Sequence, residues 1–204
     1  LNSKLIFAND EPHKGNYSSR RLSYPLVEGP TEAWDELVGV LYQEEERAKL
    51  EWAIGAIVSG DSKFLQKFFV LYGQAGSGKS TVLNIIEKLF AGYTTTFDAK
   101  ALVGMNNAFG TEPFKSNPLV AIQHDGDLSG ISDNTKLNSI VSHEEMMMNE
   151  KYKPSYTSRV NAMLFVGTNS PVKISDAKSG ILLRLIDVHP SGSTVPPERY
   201  ELLL

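Results

Sequence analysis

The chain has 204 residues, a net charge of −4 at pH 7 and 41% hydrophobic residues. This predicts one globular domain, or one domain plus an appendage, with a sizeable core. The absence of cysteine excludes disulfides and cysteine-based metal sites. Mild acidity argues against a broad basic surface for nucleic acid, but a local basic channel is compatible with it. No apolar run approaches the roughly 18 to 20 residues that span a bilayer, so we expect a cytoplasmic protein without a membrane partner.

Changes in composition divide the chain into four parts. Residues 1–30 are polar and interrupted by proline and glycine, which predicts a linker or an irregular arm. Residues 31–62 begin with a capping-type threonine and carry apolar residues at helical spacing, which predicts a helical N-terminal region of two helices. Residues 63–190 would form the main core. Residues 191–204, which stop on the sequence YELLL, would begin a truncated C-terminal region of an excised fragment.

Apolar strands alternate with helical segments through the main core. Strands are predicted at residues 68–72, 93–102, 119–122 and 162–169, and residues 134–143 resemble a helix. This alternation predicts an α/β fold of three layers with a mainly parallel central sheet. Ligands of such sheets bind at the carboxyl ends of the strands, so polar residues that directly follow the strands are the first candidates for a site.

A glycine-rich stretch, GQAGSGKST, follows the first strand and precedes a helical segment. It fits the pattern G-x-x-x-x-G-K-[ST] in the strand, loop and helix order that this pattern requires. Glycines let backbone N–H groups turn toward phosphate oxygens, while the lysine reaches the β- and γ-phosphates and the hydroxyl binds Mg²⁺. We therefore predict a P-loop NTPase that uses ATP and Mg²⁺. The residues expected to hold the nucleotide are Gly73, Gln74, Ala75, Gly76, Ser77, Gly78, Lys79, Ser80 and Thr81.

An NTPase also needs a carboxylate that holds Mg²⁺ or orients the attacking water. Asp125 and Asp127 follow the strand at 119–122, and we prefer Asp125 as catalytic acid and Mg²⁺ ligand because it lies nearer the strand end. An acidic surface loop would give the same pattern. Asn169 ends the strand at 162–169, where its amide could hold a water or contact the γ-phosphate, although such an asparagine is also an ordinary turn residue.

Arg184 lies inside an apolar segment and is the only arginine near the predicted edge of the sheet. Burying a guanidinium costs desolvation energy unless the group is paired or reaches into an interface. Arg184 would therefore either form a salt bridge with Asp187 or act as an arginine finger at a γ-phosphate bound by a neighbouring subunit.

A basic turn with interleaved aromatic residues, NEKYKPSYTSR, is predicted between two strands. Lys151 and Lys153, with Tyr152 and Tyr156, suit single-stranded nucleic acid, because lysines pair with phosphates and rings stack on bases. A solvated hairpin is the default explanation of the same pattern.

Five stretches in order, GQAGSGKST, LVAIQHDGD, NEKYKPSY, LFVGTN and GILLRLIDV, resemble a known motif series. They are similar to the Walker A, Walker B, B-prime, motif C and arginine-finger motifs of superfamily three helicases, which are AAA+-type ATPases. Within this group the likeness is to phage and plasmid primase-helicases, and it covers residues 31–190. It implies an ATP-driven DNA helicase of phage or plasmid replication that moves on single-stranded DNA as a homohexameric ring.

The resemblance also implies a role for each matching position. These roles are phosphate and magnesium contacts for Lys79 and Ser80, the Walker B acid for Asp125, the sensor for Asn169, the DNA grip of a pore hairpin for Lys151 or Lys153, and the finger for Arg184. A primase domain in the same parent chain would be a further partner. The location would be the host cytoplasm if the protein is phage-encoded.

Two other functions stay open at this point. A P-loop kinase would pass the γ-phosphate to a small acceptor, but such kinases use several arginines around the phosphates, and the six arginines here are dispersed. An ATP-gated module for replication initiation would assemble on ATP with little turnover. The assembly module stays open because the sequence does not show whether Asp125 or Asp127 orients the attacking water.

Overall fold

The structure, a computed structural model, describes residues 20–103, 109–129, 133–170 and 180–203. Its helices are α1 Glu32–Leu41, α2 Glu44–Ser59, α3 Lys79–Leu89, α4 Ala99–Val103, α5 Thr135–Val141, α6 Ile181–Arg184 and α7 Pro197–Leu203. Its strands are β1 Phe68–Tyr72, β2 Thr94–Thr96, β3 Val120–Gln123, β4 Glu145–Met148, β5 Tyr156–Arg159, β6 Met163–Thr168 and β7 Leu185–Val188. Within the described ranges, every helix is too short or too polar to cross a bilayer.

Five strands form a central sheet in the order β2-β3-β6-β1-β7, and each neighbouring pair is parallel. Strands β4 and β5 form a separate antiparallel hairpin. This confirms the predicted α/β fold with a mainly parallel sheet. Because the strands are parallel, the carboxyl ends of β1, β3 and β6 meet at one edge.

Both faces of the sheet are covered. Successive side chains of a strand point to opposite faces, so one strand can contribute to two core clusters. In β1, Phe69 and Leu71 pack in one core cluster with α1, α2 and α3. Phe68 and Val70 pack in a second cluster with α4 and α5. At the sheet centre, the ring of Phe69 stacks on that of Phe165 with centroids 5.2 Å apart. Strands buried on both faces read as continuous apolar runs, which is why β1 and β6 are visible in the sequence.

The two helices predicted in residues 31–62 are present and share the core of the sheet. Leu37 and Leu41 of α1 and Leu50 of α2 are buried in the cluster that contains β1. Helix α2 ends at Gly60, whose left-handed backbone (φ 77°) suits a glycine after a helix. Part of the predicted N-terminal arm, residues 1–19, lies outside the described residues. The described part forms neither helix nor strand before α1, and Arg21 N–H donates to the Tyr93 hydroxyl at 2.8 Å.

Two segments differ from the prediction. Residues 93–102 are strand only at Thr94–Thr96, and helix α4 begins at Ala99. Asp98 explains the change, because its carboxylate accepts a hydrogen bond from the Lys100 backbone N–H at 2.9 Å, as a helix-capping residue does. The segment after Gly180, predicted only to close the ordered pattern, forms the short helix α6 and then the edge strand β7.

Candidate functional site

The glycine-rich stretch forms the loop between β1 and α3. Gly76 and Gly78 both adopt left-handed backbone conformations, with φ of 78° and 89°. A Cβ atom on Gly78 would lie 2.8 Å from the Leu41 side chain at the end of α1, so this position requires glycine for both conformation and space. The loop therefore sits against α1 and turns directly into the amino end of α3.

Lys79, the first residue of α3, is folded over this loop. Its ammonium donates hydrogen bonds to the carbonyl oxygens of Gly73 at 2.6 Å and Gln74 at 2.8 Å, and to the Ser77 hydroxyl at 3.4 Å. The side chain is 7% exposed. Burial lowers the pKa of Lys79, and the nearby Asp125 carboxylate opposes that shift. The lysine is thus a buried cation whose charge faces the concave side of the loop.

A cavity of about 320 Å³ opens at the carboxyl edge of the sheet. It is lined by loop and helix residues 75–81 and by His124, Asp125, Asn169 and Tyr200. His124 and Asp125 follow β3, and Asn169 follows β6, so the parallel sheet brings them beside the loop that follows β1. Three groups predicted from the sequence, namely the loop, Asp125 and Asn169, therefore line one cavity.

Beside the cavity, the chain that follows β3 lies close against the end of β6. Gly126 N–H donates to the Gly167 carbonyl at 2.7 Å, and a Cβ atom on Gly167 would lie 2.5 Å from the His124 carbonyl oxygen. Only glycine allows this approach. This close contact fixes the path of the chain as it leaves β3. The His124 imidazole lies 3.6 Å from the Glu87 carboxylate of α3.

Asp127 points away from the cavity and is engaged elsewhere. Its carboxylate accepts hydrogen bonds from the Lys100 ammonium at 2.6 Å and from the Ser129 backbone N–H at 2.8 Å. These hydrogen bonds, from Lys100 first, hold the pKa of Asp127 well below its usual range. Of the two candidate acids, the structure places Asp125 in the cavity lining and Asp127 in a surface ion pair.

Arg184 lies at the opposite edge of the sheet, which corrects its predicted position. It immediately precedes β7, whose first residue pairs with Phe68 at the amino end of β1, whereas the glycine-rich loop follows Tyr72. The five residues of β1 separate the two edges by about 13–16 Å at roughly 3.3 Å per residue. Arg184 cannot reach the cavity of its own chain.

The predicted salt bridge between Arg184 and Asp187 is also wrong. Arg184 Nε donates to the Ser142 hydroxyl at 3.0 Å, and Nη1 donates to the Gly180 carbonyl at 3.1 Å. The Asp187 carboxylate instead lies 2.8 Å from His189 Nε2. The physical reason is local geometry: Arg184 is the last residue of α6, while Asp187 lies inside β7.

The basic turn lies at the tip of the hairpin formed by β4 and β5. Tyr152 is fully exposed and has a left-handed backbone (φ 63°), which is unusual for a residue with a side chain. The Lys153 ammonium donates to the Glu150 carboxylate at 2.7 Å, and the Tyr156 hydroxyl donates to the same carboxylate at 2.9 Å. Lys151 is exposed and, among the described residues, has no ion pair.

The family profile described as "Family of unknown function (DUF5906)" matches residues 71–184, which is more than half of the chain. The chain belongs to the DUF5906 family. The matched range begins in β1 and ends on Arg184, and it therefore contains every site residue predicted from the sequence. No curated protein matches the chain significantly.

The chain is also similar in fold to solved structures. One apo structure of the NrS-1 C-terminal region (305–718) superposes with a TM-score of 0.65 at 16% identity, and an A-form apo structure of that region gives 0.64 at 16%. Each covers 88% of this chain and 44% of the other chain. This DUF5906 chain thus spans less than half the length of those chains. The TM-scores establish a common fold, and at 16% identity the likeness shows the fold alone.

Tyr200 is the cavity residue that the sequence does not reveal, and it lies beyond the DUF5906 match. Its helix, α7, is held on α1 by three hydrogen bonds from Arg199 to the Glu36 carboxylate, one from Nε at 2.7 Å and two from Nη2. The only signal in the sequence is the helical spacing of Tyr200 and Leu203, which pack against the core. That spacing indicates a buried helix face and carries no information about a cavity.

Proposed function

We propose that this chain is the ATPase core of a DNA helicase motor of phage or plasmid replication. The observation that carries the proposal is the convergence in one cavity of the glycine-rich loop, buried Lys79, Asp125 and Asn169. Loop, cation, carboxylate and amide at the carboxyl edge of a parallel sheet are the parts that phosphoryl transfer from ATP requires.

The loop would bind the phosphates of ATP through its backbone N–H groups and the amino end of α3, which carries a partial positive charge. Lys79 already faces this space, with its ammonium bound to two loop carbonyls and one hydroxyl. A phosphate oxygen would replace some of these weak acceptors with a charge-assisted hydrogen bond. The buried lysine would then be a preorganised phosphate ligand.

The oxygen atoms needed for Mg²⁺ are present in the same lining. Mg²⁺ prefers oxygen ligands and is usually held by one or two carboxylates together with substrate phosphates and waters. The Ser80 hydroxyl and the Asp125 carboxylate fit this requirement, since both line the cavity and both side chains are exposed to it. Bound there, the ion would neutralise charge on the β- and γ-phosphate oxygens.

Asp125 and Asn169 would position the water that attacks the γ-phosphorus. Both residues come from strand ends on the same side of β1, where a carboxylate can accept a proton from water and an amide can orient it. The attacking oxygen would bond to phosphorus as the bond to the ADP oxygen breaks. Arg184 would act only at the cavity of a neighbouring subunit, because its own cavity lies at the other edge of the sheet.

The hairpin of β4 and β5 would contact single-stranded DNA at the centre of a ring. Lys151 supplies a cation without an ion-pair partner among the described residues, and Tyr152 supplies a fully exposed ring. Proteins commonly bind single strands through basic side chains that contact the phosphates and aromatic rings that stack on the bases. Six copies around an axis would multiply these groups, and a primase domain in the parent chain would be a covalent partner.

An ATP-gated assembly module with little turnover is the second candidate. The observation in its favour is that Asp127 is held by Lys100 and Ser129, which leaves Asp125 as the one carboxylate among the described cavity residues. A single acid would have to serve both Mg²⁺ and water. A small-acceptor kinase has no such support, since the described lining contains no arginine.

Steady-state ATP hydrolysis tests the proposal, measured across protein concentration with and without single-stranded DNA. A motor predicts a rate per subunit that rises with concentration and again with DNA. ATP-dependent assembly with a DNA-indifferent, negligible rate would favour the assembly module. Lys79→Ala is the control for contaminating ATPase, because it removes the phosphate ligand. No ATP binding to the unmodified chain would reject both candidates.

A further inference from the structure

Apart from the glycine-rich loop and its helix, the lining of the cavity comes from two kinds of element, the ends of strands and the helix α7. In the sheet order, β3 and β6 lie on one side of β1 and β7 lies on the other. His124, Asp125 and Asn169 therefore arrive from the β6 side. Tyr200 lies on α7, which follows β7 in the chain and packs on α1. The carboxylate and the amide thus follow strand ends, whereas the aromatic ring comes from a helix outside the sheet.

The connection from β7 to α7 is fixed by several contacts to α1. After β7, Ser191 N–H donates to the Leu41 carbonyl at 2.8 Å, and the Ser191 hydroxyl donates to the Val40 carbonyl at 2.7 Å. The Leu41 side chain packs against Gly78 of the loop. Arg199 ties α7 to Glu36. These contacts hold Tyr200 at a fixed place relative to the phosphate-binding loop.

We propose that Tyr200 is the nucleobase-binding residue of this cavity and that its ring stacks on the base of the bound nucleotide. The inference rests on the proposed ATP site. If the terminal phosphate faces Asp125 and Asn169 at the strand ends, the base lies at the other end of the nucleotide, and α7 is the lining element that belongs neither to a strand end nor to the glycine-rich loop and its helix. Among the described lining residues, Tyr200 is the only tyrosine, phenylalanine or tryptophan. Aromatic rings hold bases by their faces with little preference among them.

Tyr200 is partly buried against α1, so the ring has a packing role as well. Its position also affects Tyr42: burial first, then the charges of Glu46 and Tyr200, raise the pKa of Tyr42. A test must therefore separate loss of packing from loss of a base contact. Tyr200→Phe keeps the ring, Tyr200→Leu keeps apolar packing without a ring, and Leu202→Ala changes an exposed position of the same helix.

The experiment compares binding of ATP with binding of inorganic tripolyphosphate, both with Mg²⁺, to the unmodified chain and these three variants by calorimetry. We expect Tyr200→Leu to weaken ATP binding by about 5- to 150-fold and to leave tripolyphosphate binding unchanged, because tripolyphosphate has no base. Tyr200→Phe and Leu202→Ala should bind both ligands as the unmodified chain does. Melting temperatures of all variants report on packing.

Three outcomes would overturn the inference. Unchanged ATP affinity in Tyr200→Leu would remove the base contact and leave the ATP site standing. Equal loss of ATP and tripolyphosphate affinity would show that Tyr200 only maintains the shape of the cavity. Failure of the unmodified chain to bind either ligand would reject the ATP site itself, and the inference with it.

Discussion

At the scale of single residues, two aspartates separated by one glycine occupy different environments. Asp125 lines the cavity and influences the pKa of Lys79, whereas Asp127 accepts hydrogen bonds from Lys100 and Ser129 at the surface. The close approach of Gly126 to Gly167 sets this alternation. Asp127 and Lys100 form an exposed ion pair, which contributes little to stability, and Asp127 does not line the cavity, so the same substitution should affect the cavity only at Asp125.

Asp125→Asn should retain ATP binding and lose hydrolysis by about 100-fold or more, because an amide cannot accept the proton of the attacking water. Asp127→Asn is the matched control. It makes the same chemical change two residues away, and its hydrolysis rate should stay near that of the unmodified chain. Single-turnover hydrolysis and equilibrium ATP binding measure the two steps separately. A larger loss in Asp127→Asn than in Asp125→Asn would reverse the assignment.

His143 illustrates a residue that connects segments distant in sequence. It is buried, has a left-handed backbone (φ 54°), and its ring nitrogens lie 2.9 Å from the carbonyl oxygens of Val160 and Leu65. These residues precede β6 and β1. The imidazole thus joins the turn after α5 to the amino edge of the sheet.

His143→Ala should lower the free energy of unfolding by about 1–3 kcal/mol, because a neutral imidazole donates to one of these carbonyls and its removal leaves that carbonyl without a donor. Urea denaturation measures this change. His189→Ala is the control, since His189 is exposed and its Asp187 contact is a surface pair, which is worth about 0–1 kcal/mol. Equal effects of the two substitutions would show that the His143 hydrogen bonds contribute little.

At the scale of elements, the hairpin of β4 and β5 presents its two lysines differently. Glu150 neutralises Lys153, and the hydrogen bond from Lys153 lowers the pKa of that glutamate. Lys151 lies beside the exposed Tyr152 and has no such partner among the described residues. The strand pattern also separates the methionines of β4. Met148 is buried but Met147 is 67% exposed, because neighbouring side chains of β4 point to opposite faces.

Lys151→Ala should weaken binding to single-stranded DNA and reduce the salt dependence of binding by about one counterion. Basal ATP hydrolysis should be spared, because the residue does not line the cavity. Lys153→Ala is the matched variant and should have the smaller effect, since its charge is already paired with Glu150. Binding isotherms at several salt concentrations measure both. If the variant that combines Lys151→Ala with Lys153→Ala binds DNA with unchanged affinity, the hairpin does not contact DNA.

At the scale of the whole molecule, the parallel sheet decides which polar residues meet, and the sequence predicts this only in part. The apolar strands β1, β3 and β6 are visible because they are buried on both faces, and their order in the chain places Asp125 and Asn169 near the loop. The edge strand β7 is not visible as a strand, since only one of its four residues, Val188, is fully buried. Without β7, neither the edge occupied by Arg184 nor the route to Tyr200 can be derived.

The position of Arg184 leads to a prediction about assembly. It lies at the amino edge of the sheet, at least one strand length from the cavity of its own chain. If it stabilises the transition state, it must do so at a neighbouring subunit, where such an arginine is worth about 10³–10⁵ in rate. Arg184→Ala should therefore lose hydrolysis and retain ATP binding. Lys67→Ala is a control at the same edge, because Lys67 donates to the Leu183 carbonyl.

Mixing of inactive variants tests donation between subunits directly. In an assembly of Arg184→Ala and Lys79→Ala subunits, some interfaces pair an intact loop from the first variant with an intact Arg184 from the second. Hydrolysis should reappear in the mixture and should pass through a maximum as the ratio of the two variants is changed. Two variants that stay inactive at every ratio, while light scattering shows that they co-assemble, would exclude donation in trans. Arg184 would then be a structural residue that holds α6 to Ser142 and Gly180.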